Sequence, residues 1–327
     1  MIKRILLKTV LLIFLSMPLA VLADEHFSDI FIFGDSLSDN GNLAAQPGFE
    51  FLSSPFLPYD SGFSNGPRAV EVLADELGLA ANPSLHLAPP FVPQGTNFAV
   101  AGARAVTLGF PPSIDLPTQI GAFLASQGGA APGDALYVVF IGGNDIRDAR
   151  DNPDKGQARA ILRQAVAGVS GAVGALAAAG ADHILVANSP DIGAIPETRA
   201  MGDKKFAKRA TRLTRFFNRQ LKKSLHKMEH DLDIDIERFD TFRFFRFVRK
   251  HATRLGFSNA DDPCFLTSVF FTTGVPQFHP DCLGGLNFDA FVFFDEIHPT
   301  ARVHNLAGRE MAALFQEDDE DGEEQDD

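Results

Sequence analysis

The chain has 327 residues, enough to bury one large α/β core or two smaller ones. A net charge of −13, with 29 basic against 42 acidic residues, argues against a nucleic-acid binder; nine of the acids fall in the last twelve positions, so the body of the chain is only mildly acidic. The apolar share of 45% is ordinary, but 31 Phe stand beside two Tyr and no Trp, aromatic area without a polar handle that suits a dry core or an acyl-chain groove.

Residues 1–23 open on Met1-Ile2-Lys3-Arg4, carry an apolar run from Val10 to Leu22 broken by Ser16 and Pro18, and end on Ala23. Basic head, short apolar middle and small final residue read as a secretory signal peptide cut before Asp24, since the run is shorter than the roughly 20 residues that span a bilayer. The expectation is an exported chain with one domain over residues 24–315, no later segment long and apolar enough to cross a membrane, and a disordered acidic tail at 316–327. In an oxidising compartment the two cysteines, Cys264 and Cys282, are expected to close a local disulfide loop.

The first strand is Ile30 to Phe33, running into Gly34-Asp35-Ser36-Leu37-Ser38-Asp39. A strand that ends in such a turn delivers a hydroxyl where open α/β sheets keep their ligands, which makes Ser36 the candidate nucleophile; the alternative is a Ser/Asp turn that caps a helix. Gly66-Pro67 opens a helix through Leu77. Thr96 to Ala103 reads as a short strand breaking at Gly102, whose N–H either faces a cleft or sits in a plain turn. Pro117 begins a helix that ends near Gly128.

Leu136 to Ile141 is the clearest buried strand, stopping at Gly142-Gly143-Asn144-Asp145. Gln157 to Ala179 reads as a long helix, His183 to Ala187 as a strand, and 203–228 as a helix with Phe206, Ala210, Leu213, Phe217, Leu221 and Leu225 on one stripe. Its basic remainder reads first as a solvated face and second as a contact for an anionic membrane surface. Asp235 to Phe239 is expected to be the last strand; Phe242 to Lys250 interleaves rings with cations, and 259–287 looks like loop. Phe291 to Phe294 then leads into Asp295-Glu296-Ile297-His298-Pro299-Thr300, with Thr300 capping a terminal helix. Strand and helix alternate, which predicts a parallel sheet with helices on both faces.

A serine hydroxyl needs a base within hydrogen-bond reach and a third group to orient that base. Asp295 and His298 lie three apart in a turn and supply both; His279, with Asp281 beside it, is the rival. An oxyanion at an attacked acyl carbon has three donors on offer, the backbone N–H of Ser36 and of Gly102 and the side-chain amide of Asn144; the alternative for Asn144 is capping of the following helix, which Asp145 could do as well. The chain carries no His-Glu-x-x-His helix, cysteine cluster, calcium loop or glycine-rich phosphate loop, so neither metal nor cofactor is expected.

Four ordered blocks, Gly34 to Asp39, Asn97 to Ala103, Gly142 to Asp145 and Asp295 to Thr300, together resemble the SGNH or GDSL family of serine esterases and lipases over almost all of residues 27–315. Ala101 departs from the pattern, standing where many relatives have a second glycine. The resemblance implies a flavodoxin-like three-layer α/β/α sandwich, a triad of Ser36, His298 and Asp295, and an oxyanion hole completed by Gly102 and Asn144. The exported form and the Asp-Glu-Ile-His-Pro-Thr ending look most like the bacterial phospholipase, lecithinase and haemolysin branch, some members of which transfer acyl chains to cholesterol. The cysteine loop is similar to one in secreted lysophospholipase and acyltransferase members that regulates access, and is expected over the cleft beside His298. The partner implied is a lipid or small ester, hydrolysed or transferred, with peripheral membrane contact; a catalytically idle lipid binder of the same fold is the alternative.

Overall fold

A computed structural model describes residues 27–107, 113–232 and 234–315; the expected signal peptide and acidic tail lie outside the described residues. The elements run β1 (Ile30–Gly34), α1 (Ala69–Glu76), α2 (Leu116–Ser126), β2 (Leu136–Phe140), α3 (Gly143–Asp151), α4 (Lys155–Ala179), β3 (His183–Ala187) and α5 (Pro196–Ala200). They continue as α6 (Lys204–Leu232), β4 (Asp235–Phe239), α7 (Thr241–Lys250), β5 (Asn259–Pro263), α8 (Thr267–Thr273), β6 (Phe291–Phe293) and α9 (Ala301–Ala312).

The main sheet is parallel in the order β1-β2-β3-β4, with Ile30 opposite Leu136, Leu136 opposite His183 and His183 opposite Asp235. Its central strands are apolar on both sides because both sides are covered. Phe31, Phe33, Tyr137, Val139, Ile184 and Val186 face the layer that holds α2, α3, α4 and α6; Ile30, Ile32, Leu136, Val138 and Leu185 face α1 and α9. Each fully buried Phe contributes about 1.5–3 kcal/mol of transfer free energy, so the phenylalanine excess is first a core device.

Several expectations are corrected. Thr96 to Ala103 is not a regular strand: the strip runs beside β1 through Ile32 N–H to Thr96 O, Phe98 N–H to Ile32 O and Val100 N–H to Gly34 O, and Asn97 bridges to Ile32 on one side and to Pro83 on the other. Counted as an outer strand it gives the doubly wound order 2-1-3-4-5, whose reversal falls between β1 and β2. Asp235 to Phe239 closes the main sheet but is not the last strand, since β5 and β6 pair parallel beyond it. The segment 259–287 is not mere loop; it holds β5, α8 and a short 3-10 turn, Pro280–Gly285. Among the described residues one helix, α4, is long and apolar enough to cross a membrane by length and composition. Its Leu162, Val166, Val169, Val173 and Leu176 pack in the protein core, as a sheet-covering helix requires.

Candidate active site

β1 ends at the reversal of strand order, and the turn that follows raises Ser36 above the sheet, half-buried. The Gln119 side chain clamps the strand end, accepting from Gly34 N–H and donating to Gly34 O, both at 2.8 Å. On the far side, β6 leads into a tight turn in which Phe294 N–H donates to His298 O. That turn brings His298 Nε2 to 2.8 Å from Ser36 Oγ, across 262 positions of sequence. His298 Nδ1 lies 2.9 and 3.0 Å from the two oxygens of Asp295, which makes Nδ1 the protonated nitrogen and leaves Nε2 to accept from the serine. Phe63 stacks on the imidazole with centroids 5.0 Å apart, so the ring has little room to turn.

Asp295 is buried, and burial pushes its carboxyl up; the charge of His298 and the hydrogen bonds of His298 and Ile297 outweigh that and hold it below the usual range. Thr267 donates its hydroxyl to Asp295 at 3.1 Å, so the Tyr59 hydroxyl, 3.1 Å behind, is left to donate to Thr267. The rival base is not at this site: His279 lies beside Asp281 and Asp262 in the cysteine loop.

The three expected oxyanion donors lie on three segments, two loops and the start of α3, that are tied pairwise. Gly102 holds φ +87°, a left-handed conformation that favours glycine. The backbone N–H groups of Ser36 and Gly102 donate to no acceptor among the described residues. Asn144, at the start of α3, donates from Nδ2 to Ala103 O at 2.9 Å, and its Oδ1 accepts from Arg147 at 3.2 Å, which fixes the amide so that one N–H remains free. It is not the cap of α3, a position that Gly142 holds.

Three buried carboxylates do the tying. Asp35 accepts from Leu37 and from the Gly142 and Gly143 N–H groups, joining the serine turn to α3; burial raises its pKa to about 6 against those bonds and the charge of His298. Asp39 accepts from Gly41, Asn42, Leu43 and Ala101, joining the same turn to the Gly102 strip. Asp145 accepts from Ala105, joining α3 to that strip, and burial raises it to about 7. Asn97 adds a fourth tie, donating to Ser38 O at 2.7 Å.

Ser36, Asn144 and His298 open onto one cavity of about 50 Å³. Its wall is apolar, made chiefly by Phe140, Ile192, Phe239, Phe244, Phe245 and Met311.

Cys264 and Cys282 form a disulfide with Cα atoms 5.4 Å apart. The loop it closes backs Asp295 through Thr267 and Glu296 through Ser268; among the described residues none of its members lines the cavity. It therefore supports the Asp295 side of the site and is not the cover expected over the cleft.

The family model of the GDSL-like lipase/acylhydrolases matches residues 30–311. The chain belongs to that family. A serine ester hydrolase or acyltransferase is the activity class this membership carries. Among curated relatives, Lipase 1 of Photorhabdus luminescens is 29% identical over 187 residues, which is 56% of this chain but only 25% of that protein. The phosphatidylcholine-sterol acyltransferase of Aeromonas hydrophila is 26% identical over 329 residues, covering 88% of this chain and 90% of its own. A solved carbohydrate acetylesterase from Sinorhizobium meliloti is 15% identical, with a TM-score of 0.44 over 88% of this chain and 98% of that one.

The residues not singled out from sequence are those that hold the site together: Phe63, Gln119, Arg147 and Thr267. Asp39 and Asn97 stood inside the quoted blocks without a role; buried polar residues in a loop that must find partners were the available signal.

Proposed function

We propose that this GDSL chain is an exported enzyme that cleaves carboxylic esters of lipids, lysophospholipids among them, through an acyl-serine intermediate. The observation that carries the reading is the 2.8 Å contact of Ser36 Oγ with His298 Nε2 at the mouth of an apolar cavity. Ser36 attacks the ester carbonyl while His298 takes its proton; Asp295 holds the imidazole and stabilises its charged form. The oxyanion receives the N–H groups of Ser36 and Gly102 and the free N–H of Asn144. His298 returns the proton to the leaving alcohol, then activates water for deacylation. The acyl chain lies along the Phe140 and Phe239 wall, while the polar head stays outside. Export is supported by the residue pattern of 1–23 and by the disulfide.

The test is a panel of p-nitrophenyl esters of rising chain length with defined lysophospholipids, run on the parent and on Ser36→Ala, with fluorophosphonate labelling of Ser36. Hydrolysis and labelling that both vanish in the variant support the proposal; labelling of another residue refutes it. A second reading, acyl transfer to a sterol or other alcohol by the same residues, is favoured by the likeness to the acyltransferase over 90% of its length. Labelled acyl donor with and without cholesterol separates the two by product.

A further inference from the structure

Helix α6 turns Leu213, Phe217, Leu221 and Leu225 inward, and α7 turns Thr241, Phe245 and Val248 inward. What they turn outward is almost wholly cationic. Arg212, Arg215 and Arg219 recur at helical spacing on α6, and Arg243, Arg246 and Lys250 on α7, all exposed. The two rows are one surface: Arg215 and Arg246 both lie 5.6 Å from the centre of the Phe242 ring, and Arg215 lines the grooves on either side. Arg159 and Arg219 both lie 5.9 Å from the Phe216 ring, which extends the surface to the start of α4.

None of these cations has a carboxylate partner among the described residues, in a chain with an excess of acid. Two carboxylates border the grooves and both are taken: Asp261 pairs with Arg199 and Arg249, and Asp191 accepts from Gly193 and Thr211. Surface cations scattered for solubility do not need to hold their heads over aromatic rings. Guanidiniums laid on rings, with Phe247 exposed beside them, are the mixture by which an interfacial helix meets anionic headgroups and the first apolar layer. The other side of α7 supplies Thr241, Phe244 and Phe245 to the cavity wall, so the helix joins this surface to the candidate site.

We propose that the outward face of α6 and α7 docks the protein on an anionic lipid bilayer. The proposal deepens the lipid-ester reading, naming the surface from which the substrate is taken, but its test does not depend on chemistry. Ser36→Ala protein, full chain without residues 1–23, is sedimented with vesicles of phosphatidylcholine alone or mixed with phosphatidylglycerol, at low and high salt. Binding is expected to the mixed vesicles only and to fall by roughly tenfold or more with added salt.

Charge reversal at Arg212, Arg215, Arg243 and Arg246 is expected to lower partitioning by roughly a thousandfold or more. Hydrolysis of a soluble p-nitrophenyl ester by the same reversal in the Ser36 parent should stay unchanged, which shows that the variant folds; an Arg→Gln set at those positions gives an intermediate loss. Equal binding to both vesicles, or undiminished binding by the reversed variant, overturns the proposal. So does binding that appears only once residues 316–327 are removed, which would assign the face to the chain's own acidic end. Failure of the soluble ester assay in the parent instead overturns the hydrolase reading and leaves the sedimentation result intact.

Discussion

Replacing Asn144 by Ala removes a donor whose geometry is fully accounted for. One Nδ2 hydrogen goes to Ala103 O at 2.9 Å, and Arg147 holds the Oδ1 at 3.2 Å, so one hydrogen is left to face an oxyanion. Loss of a single preorganised donor costs about 10²–10³ in kcat, or roughly 3–4 kcal/mol of barrier, with KM little changed because the donor is needed mainly after charge develops. The same substitution leaves the buried Ala103 carbonyl unpaired, at about 1–3 kcal/mol of stability. Asn144→Asp keeps the shape and sets a negative charge where the oxyanion forms, so it should be slower than the alanine variant. Arg147→Met leaves Nδ2 anchored on Ala103 and should cost no more than about tenfold in kcat, consistent with a supporting hydrogen bond. Initial rates on a short p-nitrophenyl ester, with denaturant melts alongside, separate rate from stability. An alanine variant within threefold of the parent kcat would show that Asn144 is structural and that the oxyanion rests on backbone donors alone.

Asp145 is held near 7 by burial, so the folded state keeps a proton that the unfolded chain has released above about pH 4. Its contribution to stability therefore falls as pH rises through that window, and Asp145→Asn should remove a slope of about 1.4 kcal/mol per pH unit, on the order of 4 kcal/mol from pH 4 to 7. Parallel stability profiles of parent and variant in urea melts would contradict this. Removing the Cys264–Cys282 bridge, which closes a sequence separation of 18, should cost about 3 kcal/mol and also lower kcat, because Thr267 inside that loop donates to Asp295; a variant with an unchanged denaturation midpoint would refute the first half. A Cβ at Gly308 would stand 2.5 Å from both Ala69 O and Val72 Cβ where α9 crosses α1, so Gly308→Ala should lose about 1–3 kcal/mol in thermal unfolding.

The sequence speaks most clearly where one local pattern decides the outcome. Leu136 to Phe140 is apolar throughout because both faces are covered, and α4 and α6 carry the helical stripe that packing on the sheet demands. Asn259 to Pro263 has no β pattern at all; it is a strand because β6 lies beside it and because Arg199 and Arg249 hold Asp261 in place. In Thr241 to Lys250, rings on both faces hide the narrow stripe of Thr241, Phe245 and Val248 that makes the helix. The Gly102 strip reads as a strand from composition, yet it must leave β1 early to set Gly102 in its turn. At the site, the residues that do chemistry announce themselves as polar clusters at strand ends. Gln119 and Thr267 do not, since each acts on the site through a partner far away in sequence, Gly34 and Asp295; Arg147 meets Asn144 three residues before it but is held from the other side by Glu197, 50 residues on.

The carboxylates Asp35, Asp39 and Asp145 tie the three donor segments through main-chain N–H groups, and main-chain groups are supplied by whatever side chain happens to be present. The departure at Ala101 is tolerated for that reason: the bond from its N–H to Asp39 does not depend on what its Cα carries. Reactive geometry and substrate choice are thereby uncoupled. A substitution along the cavity wall, at Phe140, Phe239 or Met311, changes the space beside Ser36 at the cost of the core these buried side chains share, and leaves the main-chain ties above them in place.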